Sequence, residues 1–191
     1  MGIALAFFII AVAITNIPFL VITGLLALFV AWFFRNPERA IPEGVGLVTS
    51  PADGKIINID NSNGQTKISI FMSVFNVHVN RIPTDGTIQK IDYNKGKFLV
   101  ASKDKASLEN EQNAVTMEDS RGRTIKFVQI AGLVARRIVC HIGAGDKVRR
   151  GERFGMIRFG SRMDVYLPGG FSCAVKVGDK VAGGSSILGN F

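Results

Sequence analysis

From Ile3 to Phe34 the sequence has no charged residue of either sign. Histidine and cysteine occur only twice each, and tryptophan once. Each scarcity excludes something. Two cysteines, Cys140 and Cys173, are too few for a disulfide framework, and both read as reduced, buried thiols. Cys140 beside His141 is not a metal-ligand pattern, because neighbours on a strand point to opposite faces. A structural zinc site needs more ligands than these supply, so no metal is expected. There is no Walker loop, dinucleotide fingerprint or His-Glu-x-x-His pair, which removes the common nucleotide-dependent and zinc-hydrolase classes. The apolar start lacks a positive leader, and Ala31-Trp32-Phe33-Phe34-Arg35 is a poor cleavage site, so it does not read as a signal peptide.

All 23 Lys and Arg and all 15 Asp and Glu lie beyond Phe34, so the remainder carries the whole net charge of +8. A basic domain joined to an apolar segment suits an anionic membrane surface. Nucleic acid is not expected, because basic and aromatic residues are not interleaved as a binding stripe requires. Residues 1–34 exceed the roughly 20 apolar residues that one span needs. Asn16 and Pro18 interrupt the run, and proline removes a helix hydrogen bond. The expectation is an apolar, membrane-associated helical segment. It forms either two short helices meeting near Thr15-Asn16-Ile17-Pro18 or one kinked span; a buried core helix pair is the alternative. Arg35 and Arg39 follow at once and place this end on the cytoplasmic side.

Residues 35–191 read as one β-rich domain. Lys55 to Asp60 forms a strand after the turn Pro51-Ala52-Asp53-Gly54. Asn61-Ser62-Asn63-Gly64 is a hairpin turn by composition. Thr66 to Val79 is a second strand region, and residues 94–114 read as a polar loop. Strands resume at Val115 and turn through Arg121-Gly122 into Ile125 to Ile130. Two echoes stand out. Pro-x-Asp-Gly-x-Ile-x-x-Ile-Asp occurs at 51–60 and again at 83–92. Gly-Asp-Lys-Val occurs at 145–148 and at 178–181, each followed by a short strand. The expected fold is mainly β, a sandwich or barrel-like domain whose hairpins resemble those of lipoyl and biotinyl carriers. The Met-Lys-Met of a swinging-arm carrier is missing.

Between two strands near the C-terminal end lies Gly160-Ser161. A Gly-Ser pair is commonly a plain turn. It can also be a self-cleavage site. Ser161 Oγ attacks the Gly160 carbonyl, giving an ester that eliminates to dehydroalanine; hydrolysis then leaves a pyruvoyl group and ammonia. A serine nucleophile needs a base, commonly oriented by a carboxylate. Asp53, His78 and Ser161 supply one of each, with Asp164 and His141 as alternative partners. In the plainer reading Asp53 caps its own turn and His78 is a satisfied half-buried histidine.

Several stretches together resemble one family. They are Phe33-Phe34-Arg35-Asn36-Pro37-Glu38-Arg39, Ser50-Pro51-Ala52-Asp53-Gly54 and Phe71-Met72-Ser73-Val74-Phe75-Asn76-Val77-His78-Val79-Asn80-Arg81. Asp104-Lys105-Ala106-Ser107, Asn110-Glu111, Gln129-Ile130-Ala131-Gly132 and Ala135-Arg136-Arg137-Ile138 follow. Gly151-Glu152-Arg153-Phe154-Gly155 and Phe159-Gly160-Ser161-Arg162-Met163-Asp164 close the series. The chain resembles phosphatidylserine decarboxylase proenzymes of the short form, or the similar archaetidylserine decarboxylases. The resemblance implies cleavage between Gly160 and Ser161 into a β chain of residues 1–160 and an α chain of residues 161–191 that stays bound as a heterodimer. It implies a covalent pyruvoyl cofactor made from Ser161, without pyridoxal phosphate. The implied reaction decarboxylates a serine phospholipid to its ethanolamine counterpart at a membrane, with Asp53 and His78 activating Ser161. Longer members carry a second histidine where this chain has Arg81, and threonine where it has Arg162. Arg35, Arg39, Lys105, Arg136 and Arg137 are candidates for the lipid phosphate. Two other classes stay open from the residues: a membrane-anchored β-sandwich adaptor or carrier without catalysis, and a hydrolase keeping Ser161 intact.

Overall fold

The computed structural model describes residues 2–96, 110–132, 137–158 and 161–191. Two units are distinguished, Met1–Arg35 and Asn36–Phe191. The first is one α-helix, α1 (Gly2–Phe33), which runs through Pro18 instead of breaking into two. Asn16 Nδ2 donates to the Val12 carbonyl at 2.7 Å, and Thr23 Oγ1 to the Phe19 carbonyl at 2.9 Å, so polar side chains bond back onto their own helix. Asn16–Phe33, with mean hydropathy 2.1, is long and apolar enough to cross a membrane by length and composition.

The second unit is β throughout. In chain order its strands are β1 (Leu47–Thr49), β2 (Gly54–Ser62), β3 (Gln65–Met72), β4 (Val79–Arg81), β5 (Gly86–Asn94), β6 (Gln112–Asp119) and β7 (Thr124–Ala131). There follow β8 (Ile138–Cys140), β9 (Lys147–Val148), β10 (Arg153–Ile157), β11 (Ser161–Leu167), β12 (Ser172–Cys173), β13 (Lys180–Val181) and β14 (Ile187–Asn190). Eight strands form one curled half-barrel sheet in the order β13-β2-β3-β11-β7-β6-β5-β9. Two three-stranded sheets, β1-β14-β12 and β4-β10-β8, complete the unit.

The echoes in the sequence are a real internal duplication. β2 and β5 start at the glycines of the two Pro-x-Asp-Gly turns, and their ladders shift register at matching places, between Ile56 and Asn58 and between Ile88 and Lys90. Neither glycine can be replaced freely, since a Cβ would run into the facing carbonyl of Phe71 or Glu118. The Gly-Asp-Lys-Val copies pair with these strand starts, Val181 opposite Gly54 and Val148 opposite Gly86. One apolar row crosses the sheet symmetrically: Ile59, Ile68, Val165, Phe127, Val115 and Ile91. Val165 and Phe127 occupy corresponding places and face each other at its centre. Along β3 and β11 the alternate residues Ile68, Ile70, Met72, Met163, Val165 and Leu167 enter the core, as period-two patterning demands.

Both hairpins read from composition are present. Asn63 (φ 53°) and Gly64 (φ 70°) adopt the left-handed pair of a type I′ turn. In the β6–β7 hairpin Asp119 Oδ1 accepts the N–H groups of Arg121 and Arg123, and Oδ2 accepts Arg123 Nε at 2.7 Å. Burial alone would raise this carboxyl, but the hydrogen bonds from Arg123 and Arg121 outweigh it and hold it below 3.8. A depressed carboxylate stabilises above its unfolded pKa and ceases to do so as pH falls through the lower folded value. Asp119→Asn should therefore cost about 1–3 kcal/mol at neutral pH. Thermal melts should show that gap closing as pH drops below 3.8. Two expectations need correction. The strand region drawn from Thr66 to Val79 ends at Met72, because Asn76 staples a turn: its Oδ1 accepts Ser73 N at 2.9 Å and Ser73 Oγ at 2.8 Å. β6 starts at Gln112 instead of Val115, as Gln112 to Ala114 find partners on both neighbouring strands. The thiols of Cys140 and Cys173 are free but half-buried.

Candidate active site

Ser161 opens β11, which lies within the eight-stranded sheet between β3 and β7. It pairs with Met72 on one side and Ala131 on the other. Its side chain leaves on the core face, with Met163 and Val165. The residue is fully buried, and among the described residues its Oγ has no hydrogen-bond partner. A buried hydroxyl normally finds a partner, so an orphan of this kind marks strain or chemistry. Gly160 lies outside the described residues.

His78 is anchored through its backbone to the segment that precedes Ser161. The turn at 73–76 starts one residue past Met72, the rung opposite Ser161. Beyond it, the His78 carbonyl accepts Ile157 N at 3.3 Å, four residues before the serine. One loop thus has its two ends fastened to the two sides of the predicted cleavage site. His78 is fully buried, and its Nδ1 lies 2.9 Å from the Asn76 carbonyl. A carbonyl only accepts, so Nδ1 carries the proton and Nε2 is the basic nitrogen.

Asn80, two residues on, is tied to the sheet. Its Nδ2 contacts Met72 Sδ at 3.8 Å and its Oδ1 accepts Gln129 Nε2 at 2.9 Å. Gln129 Oε1 accepts Asn113 Nδ2 at 2.9 Å. This buried amide chain lies on the face Ser161 uses, two rungs further into the ladder, since Gln129 pairs with Met163. Asn110 Nδ2 donates to the carbonyl of Ala131, the other neighbour of Ser161, at 2.6 Å. Asn80, Asn110 and Gln129 stand in stretches that carry the family resemblance, but sequence reading assigned none of them a role, and Asn113 was not among them; polar residues alternating with apolar ones in strand-forming stretches were the further signal.

Asp53 is placed differently. Its Oδ1 accepts Gly183 N at 2.7 Å and its Oδ2 pairs with Arg39 at 2.7 Å. The corresponding aspartate of the second copy, Asp85, accepts Arg150 N at 2.8 Å in the equivalent position. Holding the start of β2 or β5 to the segment after β13 or β9 is thus common to both copies, and Arg39 is the feature peculiar to Asp53. The turn carrying Asp53 meets the histidine strand through Pro51, whose carbonyl accepts Arg81 N at 2.9 Å. Arg81 stands where longer relatives of the resembled family have histidine. It is buried and donates to the carbonyls of Gly151 and Pro37, both at 2.9 Å. Burial, with Arg153 and Arg39 nearby, lowers its pKa below the usual value.

Asp164 and His141, the alternative partners, are not brought to Ser161. Asp164 is three residues along β11 and so points to the opposite face. There it binds Arg162 Nε at 2.6 Å and Lys67 Nζ at 3.2 Å, while Arg162 Nη2 also reaches Ser69 Oγ at 2.8 Å. His141 is exposed. Of the phosphate candidates, Arg39 is taken by Asp53, and Arg35 stacks on Trp32 and bonds to its carbonyl. Arg137 is exposed; Lys105 and Arg136 lie outside the described residues. Among the described residues no three His, Cys, Asp or Glu side chains gather as metal ligands.

A family model described as phosphatidylserine decarboxylase matches residues 26–189. The chain belongs to that family. A phosphatidylserine decarboxylase proenzyme of Syntrophus aciditrophicus is 56% identical over 171 residues, covering 86% of this chain and 80% of the relative. The proenzyme of Burkholderia pseudomallei strain K96243 is 52% identical over 170 residues, covering 86% and 79%. That of Burkholderia vietnamiensis is 51% identical over the same length. The family is one of carboxy-lyases, and the word proenzyme in these names denotes a precursor that is processed. The span matched to this decarboxylase family takes in the buried serine, the histidine loop and the amide chain of this protein alike.

Proposed function

We propose that this chain is a precursor that cuts itself between Gly160 and Ser161, and that the resulting heterodimer decarboxylates phosphatidylserine to phosphatidylethanolamine. The observation that carries this reading is the Ser161 hydroxyl, buried at the head of a strand with no hydrogen-bond partner among the described residues. A buried hydroxyl with no described partner is poised to be consumed. His78 Nε2 takes the Oγ proton as Oγ attacks the Gly160 carbonyl, and the 160–161 amide becomes an ester. Loss of the Ser161 α-proton expels the Gly160 carboxylate. Water then releases ammonia from the dehydroalanine and leaves a pyruvoyl group at position 161, so no metal and no pyridoxal phosphate is needed.

The pyruvoyl carbonyl supplies an electron sink that captures the lipid amine and withdraws the electron pair left as CO2 departs. The side chains do the rest. His78 returns a proton to the carbon that lost CO2. The Asn80–Gln129–Asn113 chain keeps β4, which follows His78, fixed against β7, the neighbour of β11. Asp53 acts as a positioning residue, tying the Pro51 turn and Arg39 to the strand behind His78. The product α chain, residues 161–191, keeps β11 between β3 and β7, so cleavage need not loosen the fold. The apolar α1 segment holds the enzyme where its lipid lies, at the cytoplasmic face of a membrane.

Denaturing electrophoresis and intact mass test the reading. Purified protein should give fragments 1–160 and 161–191, the smaller blocked to N-terminal sequencing. Borohydride added with substrate should abolish decarboxylation. An uncut active chain, or activity indifferent to carbonyl reagents, would refute it.

A further inference from the structure

A cavity of about 430 Å³ opens beside the histidine loop, walled by Lys55, Lys180, Phe71, Ser73, Phe75 and Asn76. That volume suits a small ligand. Lys55 and Lys180 face each other directly across the β2–β13 pair. Like charges opposed in an antiparallel ladder destabilise it, and neither ammonium forms an ion pair with any described carboxylate. Asn76 adds donors. With its Oδ1 committed to Ser73, its Nδ2 group has no partner among the described residues, and Asn76 lines the cavity. Phe75 is 68% exposed at the lip. Two unpaired cations, an amide donor and an exposed ring describe a receptor for an anion attached to something apolar.

The cavity lies at the end of the ladder where β11 begins, on the face that Lys55 and Phe71 share with Arg162, so a ligand seated there reaches position 161 around the strand end and not through the core face. Ser73 follows the rung that pairs with Ser161. Lys55 lies two strands from β11, about 10 Å in a sheet. A lysine side chain and a phosphoserine headgroup together cover that span. We propose that Lys55 and Lys180 seat the phosphate of the lipid headgroup, with Asn76 Nδ2 as a third donor and Phe75 against the glycerol end. This rests on the decarboxylase reading and names its substrate subsite. The repulsion between the two lysines is relieved by the ligand, so the site trades stability for binding.

Lys55→Ala, Lys180→Ala and the double variant test this, with exposed Lys126→Ala as a charge-matched control. All four should cut themselves normally. With soluble glycerophosphoserine the KM should rise about tenfold for each single variant and more for the pair, with kcat within about threefold. With serine methyl ester, which has no phosphate, all should behave alike. Inorganic phosphate should compete in the wild type and not in the double variant. Melting temperatures should be unchanged or higher, which a structural role for the lysines would not give. An unchanged KM for glycerophosphoserine overturns the proposal. So does a defect confined to anionic vesicles, because the lysines would then serve the membrane surface and not the headgroup. A wild type that never cuts sinks the decarboxylase reading instead. Glycerophosphoserine binding followed by phosphorus resonance titration then judges the lysine pair without catalysis.

Discussion

Ser161→Ala should leave one uncut chain with no detectable decarboxylation, yet melt at or above the temperature of an uncut chain that keeps the serine. The loss follows from the removal of both the nucleophile and the source of the carbonyl. The gain follows because alanine removes a buried hydroxyl that makes no hydrogen bond with any described residue. Deleting an unsatisfied buried group recovers its desolvation penalty, about 1 kcal/mol or more. His78→Ala gives the graded case. Without a base the cut should slow by about 10²–10⁴-fold, followed as disappearance of the full-length band. Rapid cutting of His78→Ala would assign the base elsewhere, and a destabilised Ser161→Ala would mean that the hydroxyl holds the fold.

The second large effect is on stability. Arg162 is 1% exposed and Asp164 0%, and the two are joined at 2.6 Å. Arg162→Met takes away the shorter of the two ion pairs described for that buried carboxylate, the other being Lys67 at 3.2 Å. Breaking a buried pair from one side costs about 3–5 kcal/mol. In a domain of this size that lowers Tm by roughly 10 °C. The Ser161→Ala background keeps the chain single and the transition interpretable. Adding Asp164→Leu should restore much of the loss, because the penalty lies in the stranded charge and not in the missing contact. A single variant that melts within 2 °C of its parent, taken as roughly the precision of such a comparison, would show that water reaches the pair.

Local chemistry made much of this molecule legible. Asn63-Gly64 could only be a tight hairpin turn, since both positions take left-handed backbone. The two Pro-x-Asp-Gly echoes and the two Gly-Asp-Lys-Val echoes are short motifs whose repetition survives in sequence because each sits where backbones meet closely. Gly160-Ser161 was singled out by residue type. The stretch after Met72 misled because Val74, Phe75, Val77 and Val79 have strand propensity, and a single side-chain bond from Asn76 to Ser73 overrode it. On residue type Asp53 reads as a cap of its own turn or as the orienting carboxylate of a triad, and the family resemblance implies the second. Its bond to Gly183, mirrored by Asp85 and Arg150, appears only when strands far apart in the chain are laid side by side.

The sequence by itself determined an apolar helix, a β-rich remainder, a duplicated turn motif and a serine of unusual promise, because each depends on neighbours within a few residues. Tertiary structure alone decided which side chains share a face and which charges are stranded. Arg162 with Asp164, Lys55 opposite Lys180 and Asn80 with Gln129 are all set by strand register. Register is a long-range property: it balances the burial of whole apolar rows, and no single stretch of chain contains that balance.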